Sequence, residues 1–317
     1  MAVVHRIPDE LLHGPFSRTT ALAAGIPARV LEGTRFVRVH PRVYRHRDHR
    51  LSDEEHVTAA ALALPTEART TGITRLQQLG LDYGPHSPVR FVVTGDLHLA
   101  MEGVMLHRTV LMPPTDDVGV VPAAAYLAYC AEARVLDAIK VGDWLLHHGH
   151  TTLDSIAALA TGQLWRRGAM ETLWILPHLN GRSRSLRESE VRAVLTFADL
   201  PDPELNVPVD LTGELAILAD LWFARWGVAV EYEGGHHQED RAQYSSDIDR
   251  YAVMRRHQVR YVQVTREKLG RPRTVVAEVY RELLSGGYDG PPPEVGRRWR
   301  SLFGRVPVSS RRFRSVS

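Results

Sequence analysis

The chain has 317 residues, 44% of them hydrophobic and 24% charged, with a formal net charge of +2. That is a globular composition with enough length for two or three domains, and it excludes a disordered or collagen-like chain. The single cysteine, Cys130, excludes an internal disulfide framework and suits a reducing cytoplasm.

No apolar run approaches the ~18 residues that a membrane-spanning helix needs, so no membrane partner is expected. The stretch Met1–Glu10 carries no secretory hydrophobic region. Charge is unevenly spread: residues 1–50 sum to +5, residues 294–317 to +6, and the span between to −9. Basic ends around an acidic middle suit a protein that holds a polyanion and keeps a cation site. Only two of the 39 Lys and Arg residues are lysines, Lys140 and Lys268, a bias that fits a GC-rich, actinobacterial coding sequence.

Residues 1–50 predict a winged helix-turn-helix. Ser17 is placed to cap a short helix over 18–24, closed by Gly25, and Pro27 opens a second helix to about Gly33. Residues 36–40 and 43–45 read as strands around a Pro41-Arg42 turn. In a groove-binding reading Arg29 faces the bases, while Arg35, Arg38, Arg42 and Arg45 hold phosphates; the bland alternative is a structural cap with a solvated basic face.

Residues 51–180 predict a mixed connecting domain. Helices are expected over 54–64, 74–79, 123–146 and 153–159, and strands over 89–94 and 104–107. His147, His148 and His150 sit at a helix end, where positive charge is favoured, and a metal site there is the lesser reading. Cys130 lies in an apolar helix and reads as core. Residues 179–184 read as a linker.

Residues 218–237 carry the most informative pattern. With a turn at Ala224–Gly227, Phe223 faces Val228, Leu221 faces Val230 and Ala219 faces Tyr232, which makes an apolar side. The same register sets Asp220 opposite Glu231, with Glu233 further along that face. Opposed Cβ atoms lie about 4.5–5.5 Å apart, and two charges at about 5 Å repel by roughly 3 kcal/mol at an effective dielectric near 20. A divalent cation with hard oxygen ligands, Mg²⁺ or Mn²⁺, relieves that conflict; a solvated acidic outer face is the alternative. Gly234-Gly235 lets backbone approach a ligand, and His236 and His237 come next, beside the acidic face.

These residues resemble the PD-(D/E)XK nuclease superfamily, and within it the very-short-patch-repair-like endonucleases. The resemblance covers residues 185–285. It is carried by Asp220, then Glu231-Tyr232-Glu233-Gly234-Gly235-His236-His237, then Asp247 with Arg250 on an expected helix, then the strand ending Val262-Gln263-Val264-Thr265. Glu188 matches the glutamate that the group often carries on an upstream helix. The resemblance implies a restriction-endonuclease-like domain with a central mixed sheet flanked by helices. It implies catalytic roles for Asp220, Glu231, Glu233, His237 and Glu188, a metal held by Asp220, Glu231 and Glu233, and phosphate neutralisation by Arg250. Two departures stand out: Glu233 replaces the usual aspartate, and the signature lysine is absent, since Lys268 falls after the last strand. Arginine cannot replace it as a proton-transfer group.

The N-terminal segment, through Ala21-Leu22-Ala23-Ala24-Gly25-Ile26 and Val39-His40-Pro41-Arg42-Val43-Tyr44, resembles the winged helix of AbiEi-type antitoxins. The expectation is therefore an α/β (α+β multidomain) chain: a winged helix over 1–50, a connecting domain over 51–180, an endonuclease-like domain over 181–290 and a basic, disordered tail over 291–317. The expected function is Mg²⁺- or Mn²⁺-dependent hydrolysis of double-stranded DNA in the cytoplasm. The alternative is an antitoxin or transcriptional regulator with an inactive nuclease-like domain, and a homodimer or a toxin or defence-system partner fits either.

Overall fold

The structure, a computed structural model, describes residues 7–210, 216–233, 254, 256–257 and 259–307. It is a mixed α and β chain with several sheets, as the sequence predicts for a multidomain α+β protein. No described helix is long and apolar enough to cross a membrane. The chain divides into two compact units, 1–129 and 130–317, so the division falls inside the stretch expected to connect two domains.

The first unit opens with β1 (Phe16–Ser17), α1 (Arg18–Ala23), α2 (Ala28–Leu31), β2 (Phe36–His40) and β3 (Val43–His46). The Ser17 hydroxyl accepts the Thr20 N–H at 3.0 Å and so caps α1, while Gly25, at φ +80°, ends that turn. The sheet order β1-β3-β2 is antiparallel, and Leu11, Phe16, Ala21, Ile26, Leu31, Phe36 and Tyr44 form its core. Both helices are shorter than the sequence predicts, at six and four residues.

This segment is joined to the next by packing as well as by chain. Helix α3 (Asp53–Ala63), held at its start by a Ser52–Glu55 capping box, packs on β1, β2 and β3 and also on β5 (Val89–Thr94) of the next sheet. That sheet joins β4 (Arg69–Thr70), β5 (Val89–Thr94) and β6 (Val104–Thr109), with β5 and β6 parallel; α4 (Gly72–Gln78) packs against β5. The buried Arg75 ties this layer to a distant loop by donating to Asp116 at 2.6 Å and to the Val120 carbonyl at 3.1 Å.

The single helix expected over 123–146 is two helices, α5 (Pro122–Cys130) and α6 (Val135–His147). The start of α6 gives the reason: the Val135 and Leu136 N–H groups donate to the Gly304 and Leu302 carbonyls, so distant chain completes this helix start. Helices α7 (Leu153–Gly162) and α8 (Ala169–Ile175) come next, then α9 (Leu186–Phe197), which packs along α6. Two ion pairs cross that interface, the part-buried pair of Lys140 with Glu190 at 3.0 Å and the buried pair of Arg192 with Asp143 at 2.7 Å.

The second unit's sheet has the order β10-β9-β8-β7, from β7 (Glu204–Asp210), β8 (Ala216–Phe223), β9 (Val228–Glu233) and β10 (Arg260–Thr265). β7, β8 and β9 are antiparallel neighbours, and β10 lies parallel to β9. After β10 come α10 (Arg266–Leu269) and α11 (Pro272–Ser285); α9 packs on β8 and β9, and α11 on β9 and β10.

Two further expectations give way here. The linker of 179–184 is packed, with Leu179 and Ser183 buried. The tail expected to be disordered from 291 instead forms α12 (Arg297–Ser301), whose Trp299 is buried and donates Nε1–H to the Val194 carbonyl of α9 at 3.1 Å. Leu302 and Val306 are buried beside it, because an apolar residue set among arginines still removes its own surface from water.

Candidate functional site

The site grows out of the β8–β9 hairpin. Leu221 pairs with Val230, Trp222 with Ala229 and Phe223 with Val228, the register that the apolar pattern predicts. A 3₁₀ turn at Ala224–Trp226 and Gly227 at φ +62° close it. Phe223, Leu221, Val228 and Val230 are buried, which leaves Asp220 and Glu231 at the next step.

At that step the ladder changes. The Asp220 carboxylate accepts the Tyr232 N–H at 2.9 Å, so a side-chain oxygen stands where a strand carbonyl would bond. On the other side of β8, Leu205 pairs with Leu221 and Val207 with Ala219, so Asn206 faces Asp220; its backbone is left-handed, at φ +50°. The expected pairing of Ala219 with Tyr232 is replaced by packing of Ala219 with Val209, Ile217, Ala229 and Met254. The acidic side of the hairpin is therefore not an open solvated face. Ala229 and Met254 are fully buried there, and Glu231 is only 4% exposed, while Asp220 and Glu233 are half-buried.

β10 borders β9 on its far side. Lying parallel to β9, it sets Gln263 beside Glu231 and Thr265 beside Glu233. The Gln263 amide donates to the Glu233 carboxylate, a partner that the hairpin pattern alone does not assign. Thr265 caps α10 by accepting the Lys268 N–H at 3.3 Å, which explains a threonine at the strand end. Lys268 turns away: its Nζ donates to the Gln263 carbonyl at 2.9 Å and pairs with Glu278 at 2.8 Å. With Lys140 committed to Glu190, neither lysine occupies the missing signature position.

Glu188 lies in the first turn of α9 and is buried, as a residue facing the sheet. Its Oε2 accepts the Arg184 N–H at 2.8 Å and the Asn206 amide at 2.7 Å. It is thus tied to the strand position opposite Asp220, through hydrogen bonds that fix backbone. Among the described residues no three of His, Cys, Asp and Glu converge as metal ligands. Of the expected set Asp220, Glu231 and Glu233, the Glu233 carboxylate accepts the Gln263 amide. Asp220 bonds the peptide nitrogen that follows Glu231, and Mg²⁺ is commonly held by only one or two carboxylates plus water and phosphate. His237 and Arg250 lie outside the described residues.

In the first unit Arg29, Arg38 and Arg42 are exposed and Arg35 is half-buried. Arg42 sits at the hairpin tip with φ +62°. Arg45 is half-buried. Its Nη1 donates to the carbonyls of His46, Arg47 and His49, so it fastens the loop after β3. His147, His148 and His150 form no metal group; His148 and His150 stack with ring centroids 6.0 Å apart, beside Trp144.

No family model matches the chain. It is similar to two uncharacterized proteins of Mycobacterium tuberculosis, MT2308 of strain CDC 1551 / Oshkosh and Rv2248 of strain ATCC 25618 / H37Rv. Each is 27% identical over 155 residues, a match that covers 48% of this chain and 57% of the relative.

Proposed function

We propose that the chain is a cytoplasmic DNA-binding protein whose second unit hydrolyses phosphodiester bonds with Mg²⁺ or Mn²⁺. The observation that carries this reading is the hairpin step at which the Asp220 carboxylate lies 2.9 Å from the peptide nitrogen joining Glu231 to Tyr232. The half-buried Asp220 carboxylate and the buried Glu231 carboxylate would form a hard-oxygen donor pair whose charge a divalent cation offsets. A cation held by Asp220 and Glu231 would supply Lewis-acid polarisation of the phosphate and a more acidic water. Glu233, oriented by Gln263, would act through water, His237 would move a proton and Arg250 would neutralise a phosphate. Arg29, Arg35, Arg38 and Arg42 of the first unit would touch the DNA.

The test is plasmid nicking with Mg²⁺ by the full chain and by Asp220→Asn. Asp220→Asn should lose nicking while keeping its fold by circular dichroism; equal nicking by both would refute the reading.

A regulator or antitoxin with an inactive nuclease-like unit is the second reading. It is favoured by the 4% exposure of Glu231 and by the engagement of both lysines in other pairs. Operator binding by a protein that neither nicks DNA nor binds Mn²⁺ would select it. A homodimer or a toxin or defence-system partner fits either reading.

A further inference from the structure

The approach to α9 is held more firmly than a connection requires. The Asn180 N–H donates to the Asp143 carboxylate at 2.6 Å, and Arg192 donates to the His178 carbonyl at 2.8 Å. Gly181 lies so close to Leu146 that an added Cβ would stand 2.8 Å from the leucine Cβ. Asn206 donates to the Arg182 carbonyl at 2.8 Å, and the Arg184 N–H donates to Glu188. Between these anchors Ser183 points inward, while Arg182 and Arg184 on either side of it are exposed.

The next arginines along the chain are already committed, Arg187 to Glu190 at 2.8 Å and Arg192 to Asp143 at 2.7 Å. Among the described residues neither Arg182 nor Arg184 meets a carboxylate. The strand residue that anchors this loop, Asn206, is the one facing Asp220. Two uncommitted guanidiniums are thus displayed on fixed backbone at the border of the Asp220 step.

We propose that Arg182 and Arg184 are a phosphate clamp of the second unit, gripping the DNA backbone beside Asp220 and Glu231; the choice of DNA rests on the nuclease-like reading. Guanidinium donors match phosphate oxygens in a bidentate fork, and a backbone already ordered loses little entropy on binding. In this arrangement Glu188 is a positioning residue. It holds the loop to β7 through Arg184 and Asn206, which is why its Oε2 faces two N–H donors.

The experiment is fluorescence anisotropy with a labelled DNA duplex and the full chain, in EDTA, across a salt series. The Arg182→Ala/Arg184→Ala double variant should bind several-fold more weakly. Its slope of log K against log salt should be shallower by about 1.8, at about 0.9 for each phosphate no longer neutralised. Arg187→Ala, which removes a guanidinium already paired, should keep the wild-type slope. An unchanged slope in the double variant, an equal change in Arg187→Ala, or no duplex binding by the wild type overturns the clamp. Because EDTA removes cleavage from the measurement, a clamp that passes beside a protein that does not nick with Mg²⁺ would sink the nuclease reading alone.

Discussion

Replacing Arg192 by Met tests the packing that sets the position of α9. The Arg192–Asp143 pair is buried, with side-chain exposures of 10% and 0%. Arg192 Nη2 donates both to Asp143 and to the His178 carbonyl, while Asp143 also accepts the Asn180 N–H. Methionine fills much of the volume but leaves the Asp143 carboxylate without its cation. Breaking a buried pair from one side costs about 3–5 kcal/mol, which for a unit of this size lowers Tm by about 6–20 °C. The pH dependence separates charge from packing. Burial already holds the Asp143 carboxyl above its ordinary value, against the pull of Arg192 and the Asn180 N–H. Without Arg192 it rises further, so the folded carboxyl binds its proton more tightly than the unfolded one. The associated stability is full at acid pH and is lost as pH rises through the folded pKa. Urea unfolding of the variant should therefore show a deficit that is largest near neutral pH and shrinks toward about pH 5. A deficit that is the same at both, or under about 1 kcal/mol at pH 7, refutes the assignment of a charged, buried pair.

His178 should behave in the opposite sense. Burial, then the Arg298 and Arg192 charges, hold its imidazole below the ordinary value, so its stabilising contribution is present above about pH 6.5 and declines as pH falls. His178→Phe, which keeps a ring against Trp174 and Phe197, should flatten the unfolding midpoint between about pH 6.5 and 5; an unaltered pH profile would count against it. Trp299→Ala should cost the second unit about 3–5 kcal/mol in chemical denaturation, whereas a mutant as stable as wild type would mean that α12 is not part of the core.

Much of the fold is written locally, and the losses have identifiable causes. Ser17 and Gly25 mark α1, and the alternation of Leu221, Phe223, Val228 and Val230 fixes the hairpin register, because these signals act within a few residues. β7 is harder to read. Pro208 argues against a strand, yet β7 is an edge strand, where a missing N–H is tolerated. The break between α5 and α6 has no glycine or proline to announce it, since residues 302–304 supply the carbonyls that meet the new helix start. The candidate site is half legible. The hairpin pattern carries the pairs up to Leu221 with Val230, one residue short of Asp220 and Glu231, and a two-stranded reading leaves Glu231 in water. In the fold Glu231 is buried, and the parallel neighbour β10 brings Gln263 to Glu233. Glu188 is legible from its place on a helix before the sheet, but its bonds to Arg184 and Asn206 depend on a left-handed asparagine that no local pattern announces.

The late arrival of the carbonyls that finish α6 bears on biosynthesis. Roughly 170 residues separate Val135 from Leu302, so at about 5–20 residues per second the ribosome delivers them roughly 10–30 s after the helix itself. During that interval the leading half of the second unit travels with an incomplete start to α6 and with the α9 surface that later receives Trp299 still uncovered. The first unit has all of its strands by then. Nascent chains stalled before Trp299 should accordingly bind chaperones through the trailing unit.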